Sequence, residues 1–436
     1  MRYKPLNASI QEVVDLAKKI RRENDPDFIR TVVGAVISQD GELLHMLKQK
    51  YQIPALLEQI NPMPFGAPLE HEFLNGGNPD EFFSLGTVIG NGERFLFNVN
   101  WLSQNIVKVG APGFGKTNAL FVFIGEIQKK GVKCWIFDKE KQDYRHYALK
   151  HKKENMLVFR LSKEFRHNPL WVPPGVSPIH GISNFVETFC KTNSLLDGSE
   201  SLLLDVCEEL FRERGIFDGS KNYPTLFDLE HKYEEFQAKP YSRKAGFVDS
   251  TLNRLRAYLK TNPELYNCQI GFPLHELQDH SVVFELASFG EKQSRFLINS
   301  ILQWIFLYRI AKNHRGYGVD LVSIVDEALW AFVAQDNPNI SFAPIDTLLR
   351  QGREFKMGII AASQGVKQLD KTLFTNSFLK VVFHLGEGTD KKAISESLSL
   401  NYHQQEYINK LQPGMAICRF PGISEPFLVQ FDEFTL

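Results

Sequence analysis

The stretch Gly110-Ala111-Pro112-Gly113-Phe114-Gly115-Lys116-Thr117 fits G-x-x-x-x-G-K-[ST], a loop that demands one surrounding: a strand leading in and a helix leading out. Both are legible. Asn105-Ile106-Val107-Lys108-Val109 reads as a short apolar strand. Residues 118 to 128 carry Ala, Leu, Phe and Ile at helical spacing, up to a basic, glycine-ended stop at Lys129-Lys130-Gly131. A chance glycine turn would carry neither flank. The physics follows from the backbone: glycines let consecutive amide N–H groups turn onto phosphate oxygens, and the helix N-terminus adds partial positive charge. Gly110, Ala111, Pro112, Gly113, Phe114, Gly115, Lys116, Thr117 and Asn118 are therefore the expected nucleotide-binding residues. Lys116 is placed to reach the β- and γ-phosphates, and the Thr117 hydroxyl to ligate Mg²⁺, so ATP and Mg²⁺ are the expected cofactors.

A loop of this kind belongs to an α/β fold, and the rest of the chain supplies one. Its 436 residues, 43% of them apolar, suffice for two or three domains with a large core. Residues 1–80 read as an N-terminal helical region and a linker. Ile10, Val13, Val14, Leu16, Leu43, Leu44, Leu47, Ile53, Leu56 and Leu57 recur at helical intervals, and Pro62, Pro64, Pro68, Gly76, Gly77 and Pro79 punctuate the end. The Lys18, Lys19, Arg21, Arg22 run reads as a solvated face. Residues 81–174 hold the first part of the core: strands at 83–89 and 95–99 about Gly90-Asn91-Gly92, the loop strand and helix, a strand ending at Asp138, and a third at 158–161. From 175 to 275 helical patterns dominate, an all-helical insertion. Its segment 239–260 carries Lys239, Arg243, Lys244, Arg254, Arg256 and Lys260 against Asp249; a solvated surface outweighs a phosphate-contacting face there. Residues 276–436 complete the core, with strands at 281–286, 321–325, 358–362, 379–384, 415–420 and 427–431 separated by helices, the last two a hairpin about Pro421-Gly422. Alternating strands and helices mean a parallel, doubly wound sheet.

Composition narrows the partners less. A net charge of −1 announces no nucleic acid, and it excludes none, because a basic channel can sit inside an acidic exterior. The five cysteines form no C-x-x-C pair and the twelve histidines no H-E-x-x-H cluster, which argues against a zinc site or a disulfide framework and suits the cytosol. The N-terminus lacks a signal-peptide core, and the apolar segment 296–311 is broken by Asn299, Gln303 and Arg309, so no membrane span is expected. The expected location is cytoplasmic, with any membrane association made through partners.

The second chemical feature is Leu321-Val322-Ser323-Ile324-Val325-Asp326-Glu327. Its apolar run fits a central strand buried on both faces, and its two carboxylates fall at the carboxyl end, where open α/β sheets place their ligands. Asp326 is expected in the Mg²⁺ shell, and Glu327 is expected to polarise the attacking water. A polar strand end is common, so the pair gains its meaning from the loop two hundred residues upstream.

The order of these parts resembles the HerA–FtsK superfamily of DNA-pumping ATPases, in particular its HerA-like and TraD-like conjugative coupling motors. The most specific segment is Gly352-Arg353-Glu354-Phe355-Lys356-Met357-Gly358-Ile359-Ile360-Ala361-Ala362-Ser363-Gln364, with an Arg before a strand that ends in Gln. The resemblance covers residues 82–432 and implies a RecA-like P-loop core. It makes Gln364 the γ-phosphate sensor and Arg353 an arginine finger acting on the neighbouring subunit, with Arg350 its rival, beside Lys116 and Glu327 as the catalytic set. It further implies DNA as cargo, a homo-oligomer of hexamer type, and a nuclease, relaxase or secretion-channel protein as partner. Two departures stand out: Lys356 occupies a position where the family often has Gly, and residues 1–80 match neither the family's small β-barrel nor a membrane anchor. The expected function is a ring-forming ATPase that couples ATP hydrolysis to DNA translocation. A secretion-type ATPase moving protein cargo, and a nucleotide-gated switch subunit without motor activity, are the alternatives.

Overall fold

The computed structural model describes residues 6–19, 23, 26–60, 64–139, 143–151, 156–161, 163–236, 242–332, 344–366, 369, 371–386 and 388–434. Arg21, Arg22, Pro62 and Lys239, named above, lie outside them, as do the side chains of Ile53, Leu56 and Leu57. The strands are β1 (Phe82–Val88), β2 (Arg94–Asn98), β3 (Ile106–Val109), β4 (Lys133–Asp138), β5 (Leu157–Arg160), β6 (Val282–Glu285), β7 (Leu321–Asp326), β8 (Met357–Ser363), β9 (Leu379–Val382), β10 (Met415–Arg419) and β11 (Phe427–Phe431). They form one 11-stranded sheet in the order β2-β1-β11-β10-β9-β3-β8-β7-β4-β6-β5.

From β9 to β5 every pairing is parallel, which bears out the expected central sheet. The remaining edge is antiparallel: β10 turns against β9, β11 against β10, and β1 slots between β11 and β2. Short connections explain two of these pairings, β1 with β2 and β10 with β11. The turns at residues 89–93 and 420–426 are too brief for the crossover that a parallel pair needs, so these strands fold as hairpins. What the sequence leaves unassigned is that both hairpins extend the same sheet, with the last strand paired to the first.

Side chains alternate between two apolar layers. Val107 and Val109 of β3 pack with the helical side of the insertion, whereas Ile106 packs on the opposite face with the loop helix Lys116–Lys129. The insertion consists of helices Pro178–Asn193, Asp197–Glu213, Leu226–Glu234 and Arg243–Thr261, with short turns at Pro263–Tyr266 and Leu274–Leu277. Its core is continuous with the sheet: Phe189, Leu203 and Tyr258 share a cluster with Phe137 and Phe284. The basic segment is partly neutralised within the chain. Arg256 sits between Glu230 (3.2 Å) and Glu234 (2.5 Å), and Lys244 lies over the Phe236 ring.

The N-terminal helices Leu6–Lys19, Pro26–Ser38 and Gly41–Ile60 enclose a separate small core of Val13, Ala17, Phe28, Val32, Ala35, Leu44, Leu47 and Tyr51. The expected linker differs from its reading over its second half. Gly66 N–H donates to the Pro426 carbonyl at 2.9 Å, and Phe73, on helix Glu70–Leu74, is fully buried against Phe95, Phe420 and Phe427. Prolines and glycines mark the turns of this stretch, but its aromatic anchor docks it.

The amino ends of β7 and β8 are locked by Arg309, 2% exposed, which donates to Asp320 at 2.5 Å and to the Phe355 carbonyl at 2.9 Å. Lys356 itself takes the left-handed conformation, φ 57°, so the turn into β8 forms with lysine where glycine is the easier residue. Gly358 is less replaceable: a Cβ there would stand 1.9 Å from the Leu102 carbonyl oxygen, which belongs to the 3₁₀ turn Val99–Gln104 lying across β8. Gly358→Ala is expected to cost on the order of 3 kcal/mol, because backbone must move to admit one methyl. Thermal melting of the variant measures this, and an unchanged Tm would contradict it.

Candidate active site

Three glycines shape the loop for different reasons. Gly113 and Gly115 have φ of 81° and 97°, a region that side chains avoid. Gly110 has no such angle but faces Phe383 so closely that a Cβ would lie 2.5 Å from the Phe383 Cβ. Gly115 is confined twice over, since a Cβ would also meet the Gly414 nitrogen at 2.9 Å. Backbone hydrogen bonds complete the seating: Gly110 N–H to the Ser363 carbonyl (3.2 Å), Ala111 N–H to the His384 carbonyl (2.7 Å) and Gly414 N–H to the Phe114 carbonyl (3.1 Å). The Phe114 ring stacks on His384 with centroids 4.1 Å apart. Lys116 Nζ donates to the carbonyls of Gly110 and Ala111, the latter at 3.1 Å.

The parallel strands next to the loop end together, so their carboxyl-terminal residues converge on it. A cavity of about 320 Å³ is lined by Pro112, Gly113, Gly115, Lys116, Thr117, Asn118, Asp138, Lys139, Asp143, Asp326, Glu327 and Gln364. Asp326 accepts a 2.9 Å hydrogen bond from the buried Tyr144 hydroxyl, whose own acidity burial and Asp326 suppress. Glu327 holds the left-handed conformation, φ 70°, an uncommon and strained state for a glutamate, directly after the end of β7. Burial pushes its carboxyl above the ordinary range, and hydrogen bonds from the Gln364 backbone and side chain pull it partly back. Ser363 Oγ lies 3.5 Å from the same carboxylate. The two residues read separately as water-polarising base and γ-phosphate sensor thus touch one another.

The residues fit a nucleotide with Mg²⁺. Gly113 has nothing within 4 Å of where a Cβ would stand, so the loop presents bare backbone, and Lys116 and Thr117 open the helix beside it. Thr117 and Asp326 share the cavity as a hydroxyl and one carboxylate, and no group of three or more His, Cys, Asp or Glu that could hold a metal ion occurs among the described residues. That sparse set suits Mg²⁺, which keeps waters and substrate phosphates as most of its ligands.

Other expected residues are engaged otherwise or fall elsewhere. Asn118 lines the cavity, but its side chain is engaged by the C-terminal segment: its amide donates to the Asp432 carbonyl and its oxygen accepts from Phe434 N–H, both at 2.8 Å. Arg353 is exposed, in the 3₁₀ turn Gly352–Phe355, with Nη1 3.3 Å from Gln104 Oε1. It precedes β8 and Gln364 follows it, so the seven residues of that strand, about 23 Å at 3.3 Å each, separate Arg353 from its own cavity. Arg350 is exposed near the same end, on helix Pro344–Gln351.

Sequence reasoning missed the supports. Helix Asp143–Lys150 is drawn over the carboxyl ends by Arg145, which pairs bidentately with Glu285 at the end of β6. Tyr144 on that helix reaches Asp326, and Lys139 donates to the carbonyls of Leu286 and Phe289 under the Trp330 ring. The Arg145–Glu285 pair carried no sequence signal, since its partners lie 140 residues apart. Lys108, fully buried in β3, did carry one: a charge in the middle of an apolar strand. Because Glu285 is 6% exposed, Arg145→Ala leaves a buried carboxylate without its cation and is expected to cost about 1–3 kcal/mol. Chemical denaturation of the variant beside Arg145→Lys, which keeps the charge but loses the fork, measures it.

No protein-family model matches the chain. Among curated relatives, the DNA double-strand break repair helicase HerA of Sulfurisphaera tokodaii is 23% identical over 434 residues, 97% of this chain and 82% of that protein. The HerA helicase of Saccharolobus solfataricus is 22% identical over 361 residues, covering 80% and 68%. Among solved structures, VirB4 of Thermoanaerobacter pseudethanolicus superposes with a TM-score of 0.62 at 18% identity, covering 82% of this chain and 98% of that one. The plasmid coupling protein TrwB, in complex with the non-hydrolysable ATP analogue ADPNP, superposes with a TM-score of 0.59 at 14% identity, covering 86% and 97%.

Proposed function

We propose that this chain, a P-loop ATPase of the HerA–FtsK superfamily, is the subunit of a ring that couples ATP hydrolysis to movement along DNA. The observation that carries the reading is the convergence of Lys116, Thr117, Asp326, Glu327 and Gln364 on one cavity, while Arg353 stands at the far end of β8. Lys116 and the amides of the loop hold the β- and γ-phosphates. Thr117 and Asp326 hold Mg²⁺, which when bound neutralises charge on the phosphate oxygens. Glu327 orients and polarises the attacking water, and Gln364, through its contact with Glu327, ties that orientation to the strand end. Arg353 is too far from its own cavity to serve it, so in this reading it completes the site of an adjacent subunit, and hydrolysis requires assembly. DNA as cargo is supported by the two relatives named as DNA double-strand break repair helicases. A hexameric ring, and a nuclease, relaxase or secretion-channel protein as partner, belong to the same reading as its finer parts.

Glu327→Gln is expected to retain ATP and stop turnover, since the amide keeps the shape and loses the basic oxygen. Lys116→Ala is expected to lose ATP binding as well. Filter binding alongside a phosphate-release assay separates the two; normal turnover in either variant would contradict its role.

Arg353→Ala should bind ATP and assemble normally, yet fall in turnover by about 10³-fold or more, the scale of an arginine finger. Mixing Arg353→Ala with Lys116→Ala subunits restores interfaces in which an intact Lys116 meets an intact Arg353. Partial recovery of ATPase activity in the mixture is the expected result; full activity of Arg353→Ala alone would shift the role to Arg350. Stimulation of turnover by DNA distinguishes this motor from one for protein cargo and from a switch whose turnover ignores both.

A further inference from the structure

Lysine is seldom buried without a paired carboxylate, because its ammonium loses hydration that apolar surroundings do not replace. Lys108 is 0% exposed in β3, between Ala362 of β8 and Val381 of β9. Its Nζ lies 3.3 Å from the carbonyl of Lys116, the first residue of the loop helix. Around it stand three rings, Phe123 of that helix, Phe383 beyond β9 and Phe431 of β11, with centroids 5.2, 5.9 and 5.8 Å away. One carbonyl and three aromatic faces form a poor shell for a group with three donors. A methionine would fill the same space without that cost.

We propose that Lys108 is a positioning residue of the phosphate site, a second cation behind the loop that holds the start of its helix through the Lys116 carbonyl and is fully charged when phosphate is bound. The inference rests on the ATP-binding reading above and assigns Lys108 no contact with substrate. Burial brings its ammonium down to about 7; Asp326 and the Cys418 thiol act upward, and Lys116 downward. Cys418 is itself pushed up by burial and stays neutral, so Asp326 and Lys116 are the charged groups that set the balance. A Mg²⁺–triphosphate complex keeps a net negative charge, so its arrival beside Lys116 offsets the repulsive member of that pair and draws a proton onto Lys108. Above neutrality the proton must come from solvent, so nucleotide affinity falls as pH rises, by up to about tenfold per unit.

The test compares the full-length protein with Lys108→Met, using ATP between pH 7.5 and 9, where the phosphate is fully ionised. Wild type is expected to show KM rising through this range. The variant should bind about tenfold more weakly at pH 7.5 with little slope, a smaller change in kcat, and a Tm equal to or above that of wild type, since a desolvated cation has been removed. A residue that merely filled space would lower Tm and leave the pH slope intact. Identical KM and slope in the two proteins would overturn the proposal. Calorimetry of ATP binding to wild type at pH 8, in two buffers of different ionisation enthalpy, needs no variant: uptake of part of a proton supports the inference and zero uptake overturns it. A wild type that binds no ATP removes the ATPase reading instead, an outcome distinct from binding without proton uptake.

Discussion

The loop before the helix is held by main chain, and that constraint organises the rest. Its amides reach the carbonyls of Ser363 and His384, and its glycines are pressed against Phe383 and Gly414, so it is braced by the strands on both sides of its own. Backbone contacts of this sort tolerate little displacement and leave side chains free to face the cavity. They also require β8 and β9 to flank β3 in parallel register, because only then do Ser363 and His384 arrive at the loop together. The parallel half of the sheet is thus a frame for a loop that would otherwise lack a fixed shape.

The frame also gives the molecule two chemically different ends. At the carboxyl ends of the strands lie the acids, Tyr144 and Gln364; at the amino ends lie Arg309, Lys356 and Arg353, tied to Asp320 and Gln104. Opposite ends of β8 therefore carry Arg353 and Gln364, the two residues that the proposed mechanism assigns to different subunits' sites. A strand is stiff along its length, so a change at Gln364 and a change at Arg353 share one rigid element. If the proposed ring holds, Gln364 at one site and the Arg353 offered to the next would be joined by a single strand.

Much of this was legible in the chain. The loop, its flanking elements and the strand ending in Asp326-Glu327 were readable because local periodicity and a spaced motif encode them, and the parallel sheet followed from their alternation. The junction of the two hairpins into that sheet was not, since the pairing of Thr87 with Gln430 spans the whole sequence and leaves no local trace. Glu327's strained backbone and the Arg145–Glu285 pair were hidden for the same reason: each depends on neighbours that only the fold supplies. The second half of the expected linker misled, because prolines and glycines mark where a chain turns but say nothing of what Phe73 finds to pack against. Lys108 was visible as an anomaly in Ile106-Val107-Lys108-Val109, and burial among three phenylalanines gives it meaning.

The order of the strands also sets a schedule. β3 is made early, but both its neighbours lie more than 240 residues downstream, β8 from Met357 and β9 from Leu379, with the insertion emerging in between. β1 pairs locally with β2 but waits longer still for its other neighbour, β11, which spans Phe427–Phe431. Contacts so remote in sequence form slowly. During synthesis, then, β3 has no sheet neighbour until β8 has been made at residue 363, and the loop lacks its brace from His384 until later still. Nascent chains of this topology leave β3 without its sheet neighbours for most of their elongation, so the loop that those strands brace is among the last parts of the molecule to gain a fixed shape.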